Sequence, residues 1–245
     1  IEAVSDRDFF TNSMHIPVWH EMSPFDKIDL EAQLTGFSSA GCITYVELDG
    51  GMSNNIDGLE TLVNYAMDKD IPYFAINIPN DTCLDCGYTG EFDDVCPICG
   101  SSNIQHLRRV TGYLTGDYKT AFNYGKQKET ESRFRHGTLI KHFENTKLCY
   151  MPNDFVNSEG VSVSLWTVGC HFRCPGCQNS DLWDFETVQP NVDSIVAELF
   201  EALTANGVLR KLSVLGGEPL CPENRKLVKE IIDRLKVKIP ELQVY

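Results

Sequence analysis

The chain has 245 residues, of which 42% are hydrophobic and 23% charged, and its net charge is −14. That length suits one large domain or two modest ones, the composition excludes a disordered or fibrous chain, and the acidity argues against a duplex-wide phosphate footprint, which needs a basic face. No apolar run nears the ~20 residues of a membrane span and "IEAVSDRDFF" lacks the parts of a signal peptide, so neither nucleic acid nor membrane is an expected partner and the expected location is cytoplasmic.

In chain order, "CITYVEL" (42–48) has the β-branched and aromatic enrichment of a strand. Leu59, Leu62, Val63, Ala66 and Met67 follow at helical spacing, then Pro72 and a second strand, "YFAINI". Strand, helix and strand predict a parallel pair. A Cys-rich segment spans 83–99, and a Gly, Tyr and Thr-rich loop surrounds 112–125. Residues 138–157, with little periodicity and many turn formers, read as a linker. Beyond it the pattern restarts: "VSVSLWTV" as a strand; a helix with Val192, Ile195, Val196, Leu199, Phe200 and Leu203 on one face; "LSVLGG" as a strand; a helix with Leu227, Val228, Ile231, Ile232 and Leu235; then "LQVY" opening another strand. The alternation predicts an α/β fold with a parallel layer or barrel. A first residue that is Ile and a last strand without a covering helix suggest a piece of something longer.

Charge is uneven. Residues 1–137 hold ten Lys/Arg against twenty-one Asp/Glu, and 138–245 hold eleven against fourteen. Within the acidic half, Arg108, Arg109, Lys119, Lys126, Lys128, Arg133 and Arg135 form a basic cluster that either faces an anionic partner or balances acidic neighbours.

Seven of the ten cysteines fall in two groups, which in a reducing compartment points to metal rather than disulfides. Cys83, Cys86, Cys96 and Cys99 make two C-x2-C knuckles, each followed by glycine (Gly87, Gly100). Four thiolates close a tetrahedral shell around Zn²⁺ and leave no position for water, so the zinc is structural. Cys170, Cys174 and Cys177 make C-x3-C-x2-C. Three thiolates leave one iron of a [4Fe–4S] cluster open to a ligand; zinc with His171 as fourth ligand is the alternative. Cys42, Cys149 and Cys221 stand apart, Cys42 reading as a small buried core residue.

A glycine in "RVTGY" is ordinarily a turn residue, but the order in which these features occur is more specific. "FFTNSMHIPV", "FDKIDLEAQ" and "YVELDGG", then "CLDC…CPICG", "RRVTGYL" and "FNYGKQKETESRFRHG", resemble the carboxy-terminal region of the anaerobic, glycyl-radical ribonucleoside-triphosphate reductases over roughly residues 8–137. The resemblance implies the end of a glycyl-radical-enzyme barrel (1–137), a zinc ribbon at 83–100 and a glycyl-radical loop at 106–125 with the radical on Gly112. The spacing of the second cysteine group resembles the radical S-adenosylmethionine superfamily, as does "LGGEPL". "NSEGVSVSLWTVGCHFRCPGCQNSDLWDF" is similar, within that superfamily, to the activating enzymes of anaerobic ribonucleotide reductase, with Ser162 where an Arg is expected. This second resemblance implies a truncated radical-SAM (β/α) barrel over 158–245. Its [4Fe–4S] cluster would bind and cleave S-adenosylmethionine, with Gly216, Gly217, Glu218, Pro219 and Asn179 at the cofactor, and the adenosyl radical would take a hydrogen atom from Gly112. The resemblances further imply a ribonucleoside triphosphate substrate, an electron donor such as flavodoxin or a dithiol, a homo-oligomer, and two parts that act on each other. The family's thiyl-forming cysteine has no match, so the chain alone is not expected to reduce nucleotides. Two other readings stay open: a glycyl-radical partner for another substrate, and a zinc-ribbon interaction module in which Gly112 is only a turn.

Overall fold

The computed structural model describes residues 7, 9, 11, 15–39, 41–110, 113–114, 117–187 and 190–245, and Gly112 lies outside them. The fold is mixed α/β and divides into two units, one of residues 1–54 with 62–136 and one of 55–61 with 137–245.

In the first unit, helix α1 (Pro24–Thr35) starts where Ser23 Oγ accepts the Asp26 N–H at 3.2 Å, a cap worth about 1 kcal/mol. Strands β1 (Thr44–Glu47) and β2 (Phe74–Asn77), connected through helix α2 (Ile56–Asp68), whose residues from Leu62 on belong to this unit, form the expected parallel pair, in register from Thr44 against Phe74 to Glu47 against Asn77. The buried stripe of α2 carries Leu62, Tyr65 and Ala66, while Val63 and Met67 are exposed. The expected face is rotated because Tyr65 packs edge-on against Phe25 at 5.0 Å and its hydroxyl donates to Asp29. A three-stranded antiparallel sheet follows, ordered β4 (Thr89–Gly90), β3 (Asn80–Cys83), β5 (Ile104–Leu107). Next come the antiparallel pair β6 (Arg109–Val110) and β7 (Tyr113–Leu114) and the short helices α3 (Tyr118–Ala121) and α4 (Tyr124–Glu131).

His136 ends this unit, buried against β1, where its Nδ1 accepts the Glu47 N–H at 3.1 Å. Burial, together with the charges of Lys27 and Arg133, lowers its pKa to about 3. Between that value and the ordinary 6.5 the unfolded chain binds the proton and the folded one does not, so stability falls as pH drops through this window. Lowering pH from 7 to 5 is expected to cost about 2 kcal/mol through this residue. Urea midpoints of wild type and His136→Gln at both pH values measure it; an unchanged difference between the two proteins would exonerate the histidine.

The second unit holds a four-stranded sheet in the order β11 (Lys211–Gly216), β10 (Ser162–Thr167), β9 (Cys149–Asp154), β8 (Lys141–His142). Only β10 and β11 are parallel among these; β9 and β8 are antiparallel neighbours. Residues 138–157 are therefore not a linker. Their turn formers punctuate two strands, with Asn145 at φ 58° in the β8–β9 turn, while Leu148, Cys149 and Tyr150 are buried. Helix α5 (Val192–Thr204) crosses from β10 to β11, and Asn191 Oδ1 accepts the Asp193 and Ser194 N–H groups at its start. Helix α6 (Arg225–Lys238) packs Val228, Ile231 and Leu235 inward, and Val244 bridges to Leu212 beside β11. Leu165, Ile195, Leu199, Leu203, Leu212 and Ile231 are all but fully enclosed, each worth about 1.5–3 kcal/mol of burial. No helix among the described residues is long and apolar enough to cross a membrane.

Candidate functional site

The two cysteine knuckles of the ribbon are built alike. In each, the first cysteine's N–H donates to the carbonyl five residues on (Cys83 to Tyr88, 2.9 Å; Cys96 to Ser101, 2.8 Å), and the glycine N–H returns to that cysteine's carbonyl at 2.9 Å. Gly87 and Gly100 close these turns at φ 75° and 73°. The Asp85 carboxylate ties the knuckles together by accepting from Ser101 Oγ at 2.5 Å and Asn103 Nδ2 at 2.7 Å. All four sulfurs lie within 4.8 Å of one another, with Cys83–Cys99 at 3.6 Å and Cys86–Cys96 at 3.7 Å. A tetrahedral shell with Zn–S bonds of about 2.3 Å has edges of about 3.8 Å, so the four fit a zinc ion and are too far apart for disulfides. Burial opposes ionisation of Cys96, yet the Cys99 and Ile98 N–H groups and the neighbouring thiols outweigh it and bring its pKa to about 7.

Below the ribbon, buried Asp81 accepts from His106 Nδ1 at 3.0 Å and from both arms of the Arg108 guanidinium, at 2.5 and 3.1 Å. The rest of the basic cluster is likewise balanced within its own unit: Lys119 by Asp94, Lys126 by Glu129, Lys128 by Glu131, Arg133 by Glu47 and Glu129, and Arg135 by Asp49 and Glu91. Arg109 lies over the Tyr45 ring. The geometry favours charge balance over an anionic partner.

The second cysteine group begins three residues after β10. Cys170 and Cys177 are half-buried and Cys174 is exposed. His171 is turned elsewhere, its Nε2 3.0 Å from Glu223 Oε1 and its ring 4.6 Å from Phe185, which disfavours a zinc site with His171 as fourth ligand.

Parallel pairing of Thr167 with Gly216 brings the Gly216–Pro219 stretch beside this loop. Gly217 N–H donates to Thr167 O at 2.8 Å and Glu218 N–H to Gly169 O at 2.9 Å. The contact demands glycine: a Cβ on Gly216 (φ 98°) would meet Thr167 O at 2.6 Å, and one on Gly217 would meet Gly169 O at 2.4 Å. Asn224 staples the two segments, its Nδ2 donating to Gly169 O at 3.2 Å and Glu218 O at 3.0 Å. Sequence reasoning missed Asn224, because an Asn just before a helix reads as a cap; here its side chain makes no capping bond. Glu218 folds back to accept the Leu220 N–H at 2.9 Å. Asn179 is half-buried at the start of a short turn, without a capping bond, and Trp183 O accepts the Cys170 N–H at 2.9 Å. A cleft of about 490 Å³ lined by His171, Phe172, Glu218, Leu220, Cys221 and Pro222 opens at this end of the parallel strands, where open α/β sheets bind ligands. Cys42, Cys149 and Cys221 are buried, and burial pushes the Cys149 and Cys221 thiols up.

Gly217→Ala is expected to force the cysteine loop and the glycine stretch apart, because the obstacle is backbone rather than a movable side chain. Hydrogen–deuterium exchange at the 217 and 218 amides, which donate to Thr167 O and Gly169 O, should quicken in the variant. Wild-type exchange there would show that the two segments absorb the methyl without separating.

Comparison with known proteins matches residues 156–245 to a family described as a 4Fe-4S single cluster domain. The amino-terminal region is 39% identical over 144 residues to the anaerobic ribonucleoside-triphosphate reductase of Haemophilus influenzae, covering 56% of this chain and 20% of that protein. The carboxy-terminal region is 33% identical over 94 residues to the anaerobic ribonucleoside-triphosphate reductase-activating protein of Enterobacteria phage T4, covering 38% of this chain and 60% of that protein. A solved structure of an anaerobic ribonucleotide reductase overlays 55% of this chain and 21% of its own, at 20% identity and a TM-score of 0.44. The chain thus spans about a fifth of the curated reductases it matches. Residues 2–136 match the family described as anaerobic ribonucleoside-triphosphate reductase, and by that match over more than half its length the chain belongs to this family.

Proposed function

We propose that this chain joins the glycine-bearing region of a reductase that makes deoxyribonucleotides to the activating enzyme that installs its radical. The observation that carries the reading is the juxtaposition of Gly216–Glu218 with Thr167–Gly169, directly ahead of Cys170, at the ends of two parallel strands, next to an open cleft. Cys170, Cys174 and Cys177 would hold a [4Fe–4S] cluster, which when bound supplies one electron to cleave S-adenosylmethionine so that a hydrogen atom is taken from Gly112. The chain's own residues do the positioning. Three cysteines leave one corner of the cluster for the cofactor, the Gly216–Pro219 backbone lines the place where its amino group would sit, and Asn224 fixes the distance between them. Gly112 is the hydrogen donor, suited to it because a glycine Cα radical can flatten between two amides. Cys83, Cys86, Cys96 and Cys99 would hold zinc and brace the hairpin that carries it.

Since the chain spans about a fifth of its reductase relatives, its share of nucleotide reduction is to receive and hold the radical, with ribonucleoside triphosphates as the substrate of the whole enzyme. The test is anaerobic electron paramagnetic resonance on iron-reconstituted protein given S-adenosylmethionine and dithionite. A carbon-centred doublet is expected; cofactor cleavage without any doublet would overturn the reading.

A further inference from the structure

Arg109 opens β6, three residues before Gly112, and its carbonyl is held from two sides. Asn77 Nδ2 donates to it at 2.9 Å, and the Arg133 guanidinium donates to it as well. Neither donor is free to swing. Asn77 Nδ2 also donates to Glu47 Oε1 at 3.0 Å, and Arg133 bridges Glu47 Oε1 at 2.8 Å and the fully buried Glu129 Oε1 at 3.2 Å. The Arg133 side chain is itself only 7% exposed. One residue earlier, the Arg108 fork fixes the same strand entry onto Asp81. The β6–β7 pairing already closes the hairpin, so a carbonyl that also collects a neutral and a charged donor from a buried network has more anchoring than a surface turn requires. A planar guanidinium can serve two carboxylates and a carbonyl at once; a lysine ammonium lacks that fork.

We propose that Arg133 and Asn77 are positioning residues that hold the base of the glycine-bearing hairpin through the Arg109 carbonyl. The inference rests on the reading of Gly112 as the radical site. Anchoring at this point fixes the start of β6 beside the ends of β1 and β2, and hydrogen transfer is steeply sensitive to such placement, on the order of 100-fold for 1 Å.

Arg133→Ala would leave Glu47 without its paired cation and the buried Glu129 with only Lys126 at 3.7 Å, and is expected to unfold the unit, so two milder changes carry the test. Asn77→Ala removes one donor and no charge; Arg133→Lys keeps the charge and loses the fork. Each is made in the full chain, loaded with zinc and iron–sulfur cluster, and given S-adenosylmethionine and dithionite without oxygen. Hydrogen–deuterium exchange is expected to quicken over 109–114 and stay unchanged over 80–107. Spins per chain should fall about ten-fold in Asn77→Ala and less in Arg133→Lys, while cofactor cleavage keeps its wild-type rate. Folded, zinc-replete variants with wild-type hairpin exchange and wild-type radical yield would overturn the inference. A wild-type chain without a doublet, with hairpin exchange raised in the variants, would uphold the anchoring and instead remove the Gly112 reading.

Discussion

Gly112→Ala is expected to abolish the carbon-centred doublet while S-adenosylmethionine is still cleaved. An alanine methyl crowds the planar arrangement that lets the radical spread into both flanking amides, and it stands where the incoming adenosyl carbon must approach to near contact. The cluster half is untouched, so its cleavage of cofactor continues uncoupled from any stable product radical. The variant and wild type are to be compared in the same anaerobic preparation, with cluster content and cleavage product measured beside the spectrum. A doublet of equal size in the alanine variant would place the radical on another residue and return Gly112 to the role of a turn.

Loss of zinc should be the next largest effect. The ribbon's interior is made of Cys83, Cys96, Asp81 and His106, while Leu84, Val95 and Ile98 point outward, so little apolar burial is available to hold it without metal. Structural zinc contributes an apparent ~10–16 kcal/mol in small zinc-binding peptides, far above what the short β3, β4 and β5 pairings supply. Cys96→Ser is therefore expected to drop zinc from about one ion per chain to near none and to open β3 and β5 to fast hydrogen exchange. Cofactor cleavage by the second unit should persist. Ribbon amides that stay protected in metal-free protein would show that the hydrogen bonds of Asp81 and Asp85 suffice.

What could be read from residues alone depended on range. The stripes of α5 and α6 follow from spacing within one helix, and the knuckles from spacing within one turn, so both were legible. The neighbouring of Gly216–Pro219 and the cluster loop was suggested only by each following a strand; its register, Thr167 against Gly216, needed the fold. Asn77 and Asn224 escaped notice, and Arg133 reads from sequence only as one of a basic cluster, because each acts on a distant backbone carbonyl, and a carbonyl leaves no mark in a sequence. Strands β8 and β9 were missed for another reason. They are short, Pro152, Asn153 and Asp154 lie at the end of β9, and their apolar residues do not alternate cleanly, so turn chemistry dominated the local signal.

The place of β9 in the sheet has a practical corollary for anyone who would separate the activating half. A fragment cut at residue 156, where the match to the 4Fe-4S single cluster domain begins, would start after β8 and β9 and leave the N–H and C=O row of β10 that pairs with Cys149, Tyr150, Met151 and Asp154 unmatched. Such a bare strand is a template for aggregation. An excised version that stays monomeric has to begin ahead of Lys141, so that the sheet keeps its own border.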